Sequence, residues 1–170
     1  MPNFKIIDGA VRPVAGPGAA ADAARGCSVA MIAARFNGDI VDRMVAGASA
    51  VWQRQGGDPE RLLLVRAPGA FELPLLARRL ATTGRYDAVI ALGCVIRGDT
   101  AHFDFVAGEA ARGIADAARD TGVPVIFGVL TTENVEQALE RADPGRLNKG
   151  GEAMDAALEM IRALREISDS

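Results

Sequence analysis

The only histidine of this chain, His102, lies in a short segment rich in groups that can do chemistry. Residues 97–106 read RGDTAHFDFV and follow an apolar run, so they begin where a buried strand is expected to end. An imidazole titrates near neutral pH and can therefore accept and donate protons during a reaction. A surface or packing role is the alternative for a lone histidine, but the position after a strand favours a proton carrier.

The two polar residues before this histidine fit two different roles. Asp99 and Thr100 precede an expected helix, where they can act as N-cap residues. A helix N-terminus with a free hydroxyl and glycine amides beside it is also a site for anions such as phosphate. The residue pattern leaves these two interpretations open.

The loops after two other expected strands also hold candidate residues. Phe36 follows the first strand, where its ring could stack on a flat heterocycle or plug the core. Glu72 is the only carboxylate of the second loop, and it either contacts a ligand or favours a helix N-terminus electrostatically. The backbone of residues 68–70 in the same loop could bind a planar ligand.

Cys94 suggests a thiol nucleophile, because it precedes His102 by eight residues. It also lies inside the apolar run AVIALGCVI, and a thiol in such a run is usually buried and inert. The second interpretation is favoured.

The composition excludes several classes of protein. The chain has 170 residues and a formal net charge of −3. This charge gives no indication of a basic surface that would bind nucleic acid or an anionic membrane. The longest apolar runs are about half of a membrane span. The cysteines and the histidine lack metal-site spacing, and the glycine motifs of dinucleotide and P-loop sites are absent. We therefore expect a cytoplasmic protein with reduced thiols and without metal or cofactor.

Hydrophobic periodicity predicts four strands that alternate with helices. The expected strands are 27–34, 62–69, 87–96 and 124–132, and the expected helices are 39–56, 70–84, 102–122, 134–142 and one that begins near Asn148. Strands buried on both faces and separated by helices indicate an α/β fold. The prediction is a three-layer sandwich with a four-stranded parallel sheet of flavodoxin-like type. Ligands bind beyond the carboxyl ends of such strands, so all four following loops are expected to meet there.

The first 26 residues do not follow this alternation of strands and helices. Residues 4–11 predict a short strand, and residues 12–26, rich in Pro, Gly and Ala, predict a tether. We expect a single α/β domain over residues 27–170.

Five motifs follow one another over about residues 27–165: ARFN, RAPGAFELP, ALGCVIRGDTAHFDFV, PVIFGVLTTEN and NKGGEA. Together they resemble the motifs of the lumazine synthase family. The resemblance implies a transferase of riboflavin biosynthesis that condenses 5-amino-6-(ribitylamino)uracil with 3,4-dihydroxy-2-butanone 4-phosphate. The product is 6,7-dimethyl-8-ribityllumazine, and phosphate and water are released. The reaction transfers no electrons, so the resemblance also implies that no cofactor is needed.

The resemblance assigns roles to individual residues. His102 corresponds to the acid/base residue, and Phe36 to the ring that stacks on the pyrimidine, with Asn37 beside it. The residues implied to hold the remaining parts of the substrates are Ala70, Phe71 and Glu72 for the ribityl chain, the backbone of Cys94, Val95 and Ile96 for the pyrimidine, and Asp99 and Thr100 for the phosphate.

The family builds its active sites between subunits of a homopentamer, and twelve pentamers sometimes form an icosahedral shell. The resemblance implies that a neighbouring subunit donates Phe127, Lys149 and Arg141, the last of which binds the phosphate. It also implies that the N-terminal strand adds to a neighbour's sheet and that riboflavin synthase is a partner. The tether over residues 12–26, with Pro13 and Pro17, and the loop DPGRL over residues 143–147 depart from the commonest family pattern.

Three other functions are compatible with parts of the pattern. The first is a non-catalytic flavin- or nucleotide-binding module, although the RFNGD loop lacks the hydroxyls that a phosphate loop needs there. The second is a cysteine hydrolase that uses Cys94 and His102, and the third is a structural container without turnover.

Overall fold

A computed structural model of the chain describes the strands at residues 4–7 and 10–13 and all residues from 22 to 169. The strands are β1 (Phe4–Ile7), β2 (Ala10–Pro13), β3 (Val29–Ala34), β4 (Leu62–Ala67), β5 (Ala88–Ile96) and β6 (Val125–Thr132). The helices are α1 (Gly38–Arg54), α2 (Leu73–Ala81), α3 (His102–Thr121), α4 (Val135–Ala142) and α5 (Lys149–Ser168). Strands and helices alternate from β3 onward, as the sequence predicts.

The main sheet has four parallel strands in the order β4-β3-β5-β6. Helices α1, α4 and α5 pack against one face and helices α2 and α3 against the other. This confirms the three-layer α/β fold of flavodoxin-like type. The chain moves from β3 outward to β4 and then crosses back to β5, so the topological switch point lies between β3 and β5. A ligand is expected at the carboxyl ends of these two strands.

The two edge strands of this sheet differ from the expectation that every strand is buried on both faces. Leu64 of β4 is 39% exposed and Phe127 of β6 is 45% exposed. Each edge strand has a neighbour on one side only, and the helices do not fully cover it. The prediction of complete burial holds for β3 and for most of β5, but it is wrong for β4 and β6.

The second helix is shorter than its apolar pattern indicates. Residues 70–72 form a single 3₁₀ turn, and α2 proper begins at Leu73 with Pro74 in its first turn. Proline is favoured at this position because it lacks an N–H that would remain unpaired there. The loop before α2 therefore ends in a tight turn that carries Ala70, Phe71 and Glu72.

The N-terminal segment contains two strands where one was predicted over residues 4–11. Strands β1 and β2 pair antiparallel with Ile7 opposite Ala10, and Asp8 and Gly9 join them in sequence. The prediction of a single strand over residues 4–11 is therefore wrong. Most of the predicted tether, residues 14–21, lies outside the described residues. At its end, Ala24 is buried in the core and its N–H donates a hydrogen bond to the carbonyl of Gln55.

Helices α1 and α5 approach each other very closely at the motif NKGGEA. A methyl group on Gly150 would lie 2.0 Å from the carbonyl oxygen of Met44, so no larger residue fits. Asn148 precedes α5 with φ 44°, and its Oδ1 accepts a hydrogen bond from the N–H of Gly151. The motif thus fixes the start of α5, and with it the position of Lys149. Within residues 22–169, no helix is long and apolar enough to cross a membrane.

Candidate active site

A cavity of about 660 Å³ lies at the carboxyl ends of β3, β4 and β5, beside the first turns of α3. This size is typical of small-molecule sites. The cavity covers the switch point of the sheet, where the topology predicts a ligand. Its lining residues are Phe36, Pro68, Gly69, Ala70, Phe71, Glu72, Cys94, Val95, Ile96, Gly98, Thr100, His102, Phe103, Phe105 and Val106. Three of the four strand-end loops meet here, whereas the loop after β6 follows an edge strand and does not line the cavity.

One wall of the cavity is formed by Phe36, which lies in the loop after β3. The ring is 70% exposed, so the alternative of a plug for the core is wrong. A large exposed ring at the mouth of a cavity offers an open face for stacking on a flat ligand.

The next residue, Asn37, holds this loop in place and does not itself line the cavity. Its Nδ2 donates a hydrogen bond of 2.9 Å to the backbone carbonyl of Cys94. Asn37 adopts a left-handed conformation with φ 55°, which asparagine tolerates better than most residues do. The loop after β3 is therefore tied to the end of β5 directly below Phe36.

The loop between β4 and α2 supplies one carboxylate to the lining. Glu72 is exposed and makes no capping hydrogen bond with its side chain, although it occupies the N-cap position of α2. A methyl group on Gly69 would lie 3.3 Å from Oε2 of Glu72, so the carboxylate lies close above this glycine. An exposed carboxylate at a cavity wall can accept hydrogen bonds from ligand hydroxyls.

The end of β5 forms the floor of the cavity with Cys94, Val95 and Ile96. The Cys94 side chain is 2% exposed, and burial raises the pKa of its thiol to about 11. Such a thiol is protonated at neutral pH and is a poor nucleophile. This geometry counts against a cysteine hydrolase.

The N-terminus of α3 brings His102 and Thr100 to the cavity. His102 is exposed at the first helical position. The N-cap residue is Ala101, so the first of the two open interpretations of Asp99 and Thr100, that they act as N-cap residues, is wrong. Thr100 Oγ1 accepts only a long hydrogen bond of 3.4 Å from the N–H of His102, and Asp99 does not line the cavity. Ala101 at the N-cap position offers no side-chain acceptor to the N–H groups of this turn, which favours binding of an anion there.

A residue that sequence analysis did not single out, Arg97, organises this helix start. Its Nη2 lies 3.3 Å from Oδ1 of Asp104, its Nε lies 3.0 Å from Oε2 of Glu133, and its Cζ lies 4.2 Å from the centroid of the Phe103 ring. Hydrogen bonds to Asp104 and Glu133 raise the pKa of the Arg97 guanidinium, so it remains cationic. The cluster joins Arg97 to three partners, and the farthest of them, Glu133, lies 36 positions away in the sequence. Local sequence patterns therefore give no signal of the cluster.

The three residues assigned to a neighbouring subunit lie away from this cavity. Phe127 and Lys149 line a smaller cavity of about 260 Å³ between β6, α1 and α5, which shares no lining residue with the larger one. The ammonium group of Lys149 is 2.6 Å from Oε2 of Glu152. Arg141 lies on α4, where its Nη1 donates a hydrogen bond to the carbonyl of Gln137. Within residues 22–169, Arg141 makes no ion pair.

Neither cavity contains a set of metal ligands. Among residues 22–169, no group of three or more His, Cys, Asp or Glu side chains is arranged to hold a metal ion. The chemistry that the larger cavity can support is proton transfer at one imidazole, stacking on one aromatic ring, and hydrogen bonding from backbone groups and one carboxylate.

Comparisons with known proteins give the family. A sequence model of 6,7-dimethyl-8-ribityllumazine synthase matches residues 26–165. The chain is 54% identical over 144 residues to 6,7-dimethyl-8-ribityllumazine synthase from Nitratidesulfovibrio vulgaris, which covers 85% of this chain and 92% of the relative. It is 55% identical over 138 residues to the enzyme of the same name from Deinococcus radiodurans, which covers 81% and 89%. The chain therefore belongs to the 6,7-dimethyl-8-ribityllumazine synthase family.

Proposed function

We propose that this protein condenses 5-amino-6-(ribitylamino)uracil with 3,4-dihydroxy-2-butanone 4-phosphate to give 6,7-dimethyl-8-ribityllumazine, phosphate and water. The observation that carries the proposal is the cavity at the switch point, where Phe36, Glu72, His102 and the end of β5 meet. Membership of the family and the high coverage of the named relatives support the choice of reaction.

The pyrimidine binds between the ring of Phe36 and the end of β5. The exposed face of Phe36 stacks on the flat heterocycle, while backbone groups of residues 94–96 bond to its edge. Asn37 keeps this slot at a fixed width, because its hydrogen bond joins the two walls. The ribityl chain extends along Ala70 and Phe71, where the Glu72 carboxylate accepts hydrogen bonds from its hydroxyls.

The phosphate of the second substrate binds at the uncapped start of α3. The first N–H groups of a helix carry partial positive charge and bind an anion without a counter-ion. Thr100 adds a hydroxyl that can donate to a phosphate oxygen. Asp99 belongs to the same turn, although it does not line the cavity.

His102 moves protons during the condensation. Condensation of the 5-amino group with the ketone releases one water, elimination then releases phosphate, and ring closure releases a second water. Each of these steps requires a proton to be taken up or released. The exposed imidazole at the cavity wall can serve these steps in turn. Alignment of the two substrates supplies a further large part of the acceleration.

We also propose that each complete active site is shared by two copies of the chain in a homopentamer. Phe127 of the edge strand β6 is 45% exposed, and an unpaired edge that exposes a large apolar ring favours contact with another molecule. Arg141 has no ion pair within residues 22–169, so its guanidinium is available for a phosphate. The smaller cavity with Phe127 and Lys149 would then face the larger cavity of the neighbour.

Three further elements of the proposal rest on the resemblance. They are the assembly of pentamers into an icosahedral shell, the addition of the N-terminal strand to a neighbour's sheet, and riboflavin synthase as a partner. A cytoplasmic location is proposed because Cys27 and Cys94 are free thiols.

The direct test is to mix the purified protein with both substrates in the presence of EDTA. We expect lumazine absorbance to appear together with one phosphate per product. His102→Ala should lower the rate by roughly one to four orders of magnitude, within or below the usual contribution of a general acid or base. Absence of lumazine, or a rate that requires an added divalent metal, would refute the proposal. An unchanged rate for His102→Ala would remove His102 from the mechanism.

A further inference from the structure

We propose that Arg97 is a positioning residue for His102, because its guanidinium clamps the first turn of α3 to the loop after β6. This inference rests on the proposed function, since it assigns Arg97 a role only through the proton carrier. Arg97 does not line the cavity and therefore has no direct contact with the space where the substrates bind.

The clamp contacts the two residues that directly follow His102. The fork of the guanidinium faces Asp104, with Nη1 3.5 Å from Oδ2 and Nη2 3.3 Å from Oδ1. Its plane lies over the ring of Phe103, with Cζ 4.2 Å from the ring centroid. A bidentate ion pair and a cation–π contact at adjacent positions restrict both the rotation and the translation of that helical turn.

The other end of the clamp is anchored in the sheet. Nε of Arg97 contacts Glu133, and the backbone N–H of Arg97 donates a hydrogen bond of 2.9 Å to the carbonyl of Thr132. Thr132 is 2% exposed and lies opposite Ile96 in the parallel pairing of β5 and β6. Arg97 is thus fixed at its backbone and directed from a rigid strand end towards a helix start.

The helix start has little else to hold it. Residues 97–102 are all exposed, Ala101 has no capping side chain, and the hydrogen bond from the N–H of His102 to Thr100 is 3.4 Å long. Helix ends without caps fray, and frayed turns do not hold a side chain in one geometry. Misplacement of a reacting group by about 1 Å can cost on the order of 100-fold in rate. The clamp supplies the order that the local sequence lacks.

Arginine is required here because three contacts use three different parts of the same group. The fork pairs with one carboxylate, Nε with a second, and the π face with an aromatic ring. A lysine ammonium is a point charge that cannot make all three contacts at once.

The kinetic test compares Arg97→Met, Arg97→Lys and the control Arg119→Met, each in the wild-type and in the His102→Ala background. Arg119 pairs with Asp116 near the other end of α3 and is likewise an arginine in a surface ion pair. In the wild-type background, we expect Arg97→Met to lower kcat roughly 10- to 100-fold and to change KM less than about two-fold. Arg97→Lys should recover part of the lost kcat. Arg119→Met should leave both constants unchanged. In the His102→Ala background, Arg97→Met should have no further effect. An equal loss in both backgrounds, or a rise in KM confined to the butanone phosphate, would overturn the proposal.

A second measurement does not depend on activity. Hydrogen–deuterium exchange of the assembled protein should become faster in peptides covering residues 97–106 in Arg97→Met, and it should remain unchanged in peptides from the rest of α3. Arg119→Met should leave residues 97–106 protected. Unchanged exchange over residues 97–106 in Arg97→Met would overturn the positioning role even if the reaction itself were different. Faster local exchange without any lumazine formation by the wild-type protein would retain the clamp and refute the proposed function.

Discussion

The side-chain amide of Asn37 donates a hydrogen bond of 2.9 Å to the backbone carbonyl of Cys94, and this bond joins the loop that carries Phe36 to the end of β5, the two walls of the proposed pyrimidine slot. Asn37→Asp keeps the shape and tolerates the left-handed backbone, but it cannot donate to a carbonyl. A hydrogen bond of this kind contributes about 0.5–1.5 kcal/mol, so we expect the affinity for the pyrimidine substrate to fall roughly 2- to 10-fold. Isothermal titration with that substrate measures the change. Unaltered affinity would show that the slot is fixed by other contacts.

Replacement of Phe36 should affect the two substrates unequally. Phe36→Leu keeps an apolar side chain but removes the aromatic face, which contributes about 0.5–1.5 kcal/mol beyond the buried area. Binding of the ribitylaminouracil should weaken accordingly, while binding of the butanone phosphate, which has no flat ring, should not change. Dissociation constants for both ligands give the comparison. An equal loss for both would indicate that Phe36 shapes the loop and does not stack on the ligand.

The close contact of α1 with α5 predicts a large cost for one added methyl group. Gly150→Ala would place that group 2.0 Å from the carbonyl oxygen of Met44, so the helices must separate at a cost of about 1–3 kcal/mol. Gly108→Ala is the matched control, because Gly108 lies within α3 with no atom within 4 Å of the added group. The control should be stabilising by about 0.5–1 kcal/mol. Thermal unfolding of both variants tests this, and equal melting temperatures would contradict the packing argument.

The raised pKa of Cys94 has a definite sign in its effect on stability. The thiol pKa is about 11 in the folded chain and 9.0 without burial, so the unfolded chain releases the proton first. The stabilisation is complete below pH 9 and is lost as the pH rises towards 11. The difference in Tm between wild type and Cys94→Ala should therefore narrow between these pH values. A constant difference would mean that the thiol has its ordinary pKa.

Cys94→Ser should retain turnover at pH 7.

The alternation of strands and helices could be predicted because each helix has an apolar stripe and each central strand an uninterrupted apolar run. The same reasoning placed His102, Phe36 and Glu72 at one edge of the sheet, since the loops after parallel strands share that edge. The resemblance of the motifs to a family added roles that a pattern of residue types cannot assign.

Other features depend on residues that are distant in sequence and therefore escaped local analysis. Arg97 contacts Glu133 only because β5 and β6 are neighbours, and strand order has no periodic signal. The exposure of Leu64 likewise follows from the edge position of β4. Helix α3 has Ala101 at its N-cap position, although residue preferences favour Asp99 or Thr100 there, so propensity alone did not locate the helix start.

The central claim is that one active site combines His102 of one copy with Arg141 of its neighbour. Helix α4 begins at the carboxyl edge of the sheet and runs back, so Arg141, about six residues into it, lies roughly 9 Å from that edge along the helix axis. Arg141 does not line the cavity that contains His102. The cavity that contains Phe127 and Lys149 shares no lining residue with it either. We therefore propose that the Arg141 guanidinium that reaches the phosphate of one site belongs to another copy.

The measurement is the activity of mixed assemblies. His102→Ala and Arg141→Ala proteins, each weakly active alone, are unfolded together in equal amounts and reassembled. Random mixing gives about one quarter of the sites an intact histidine and an intact arginine, so about one quarter of wild-type activity should return. Reassembly of the double variant with wild type is the control, and it should also give about one quarter of intact sites. No recovery in the first mixture, together with about one half of wild-type activity in the control, would place both residues in the same copy and contradict the account.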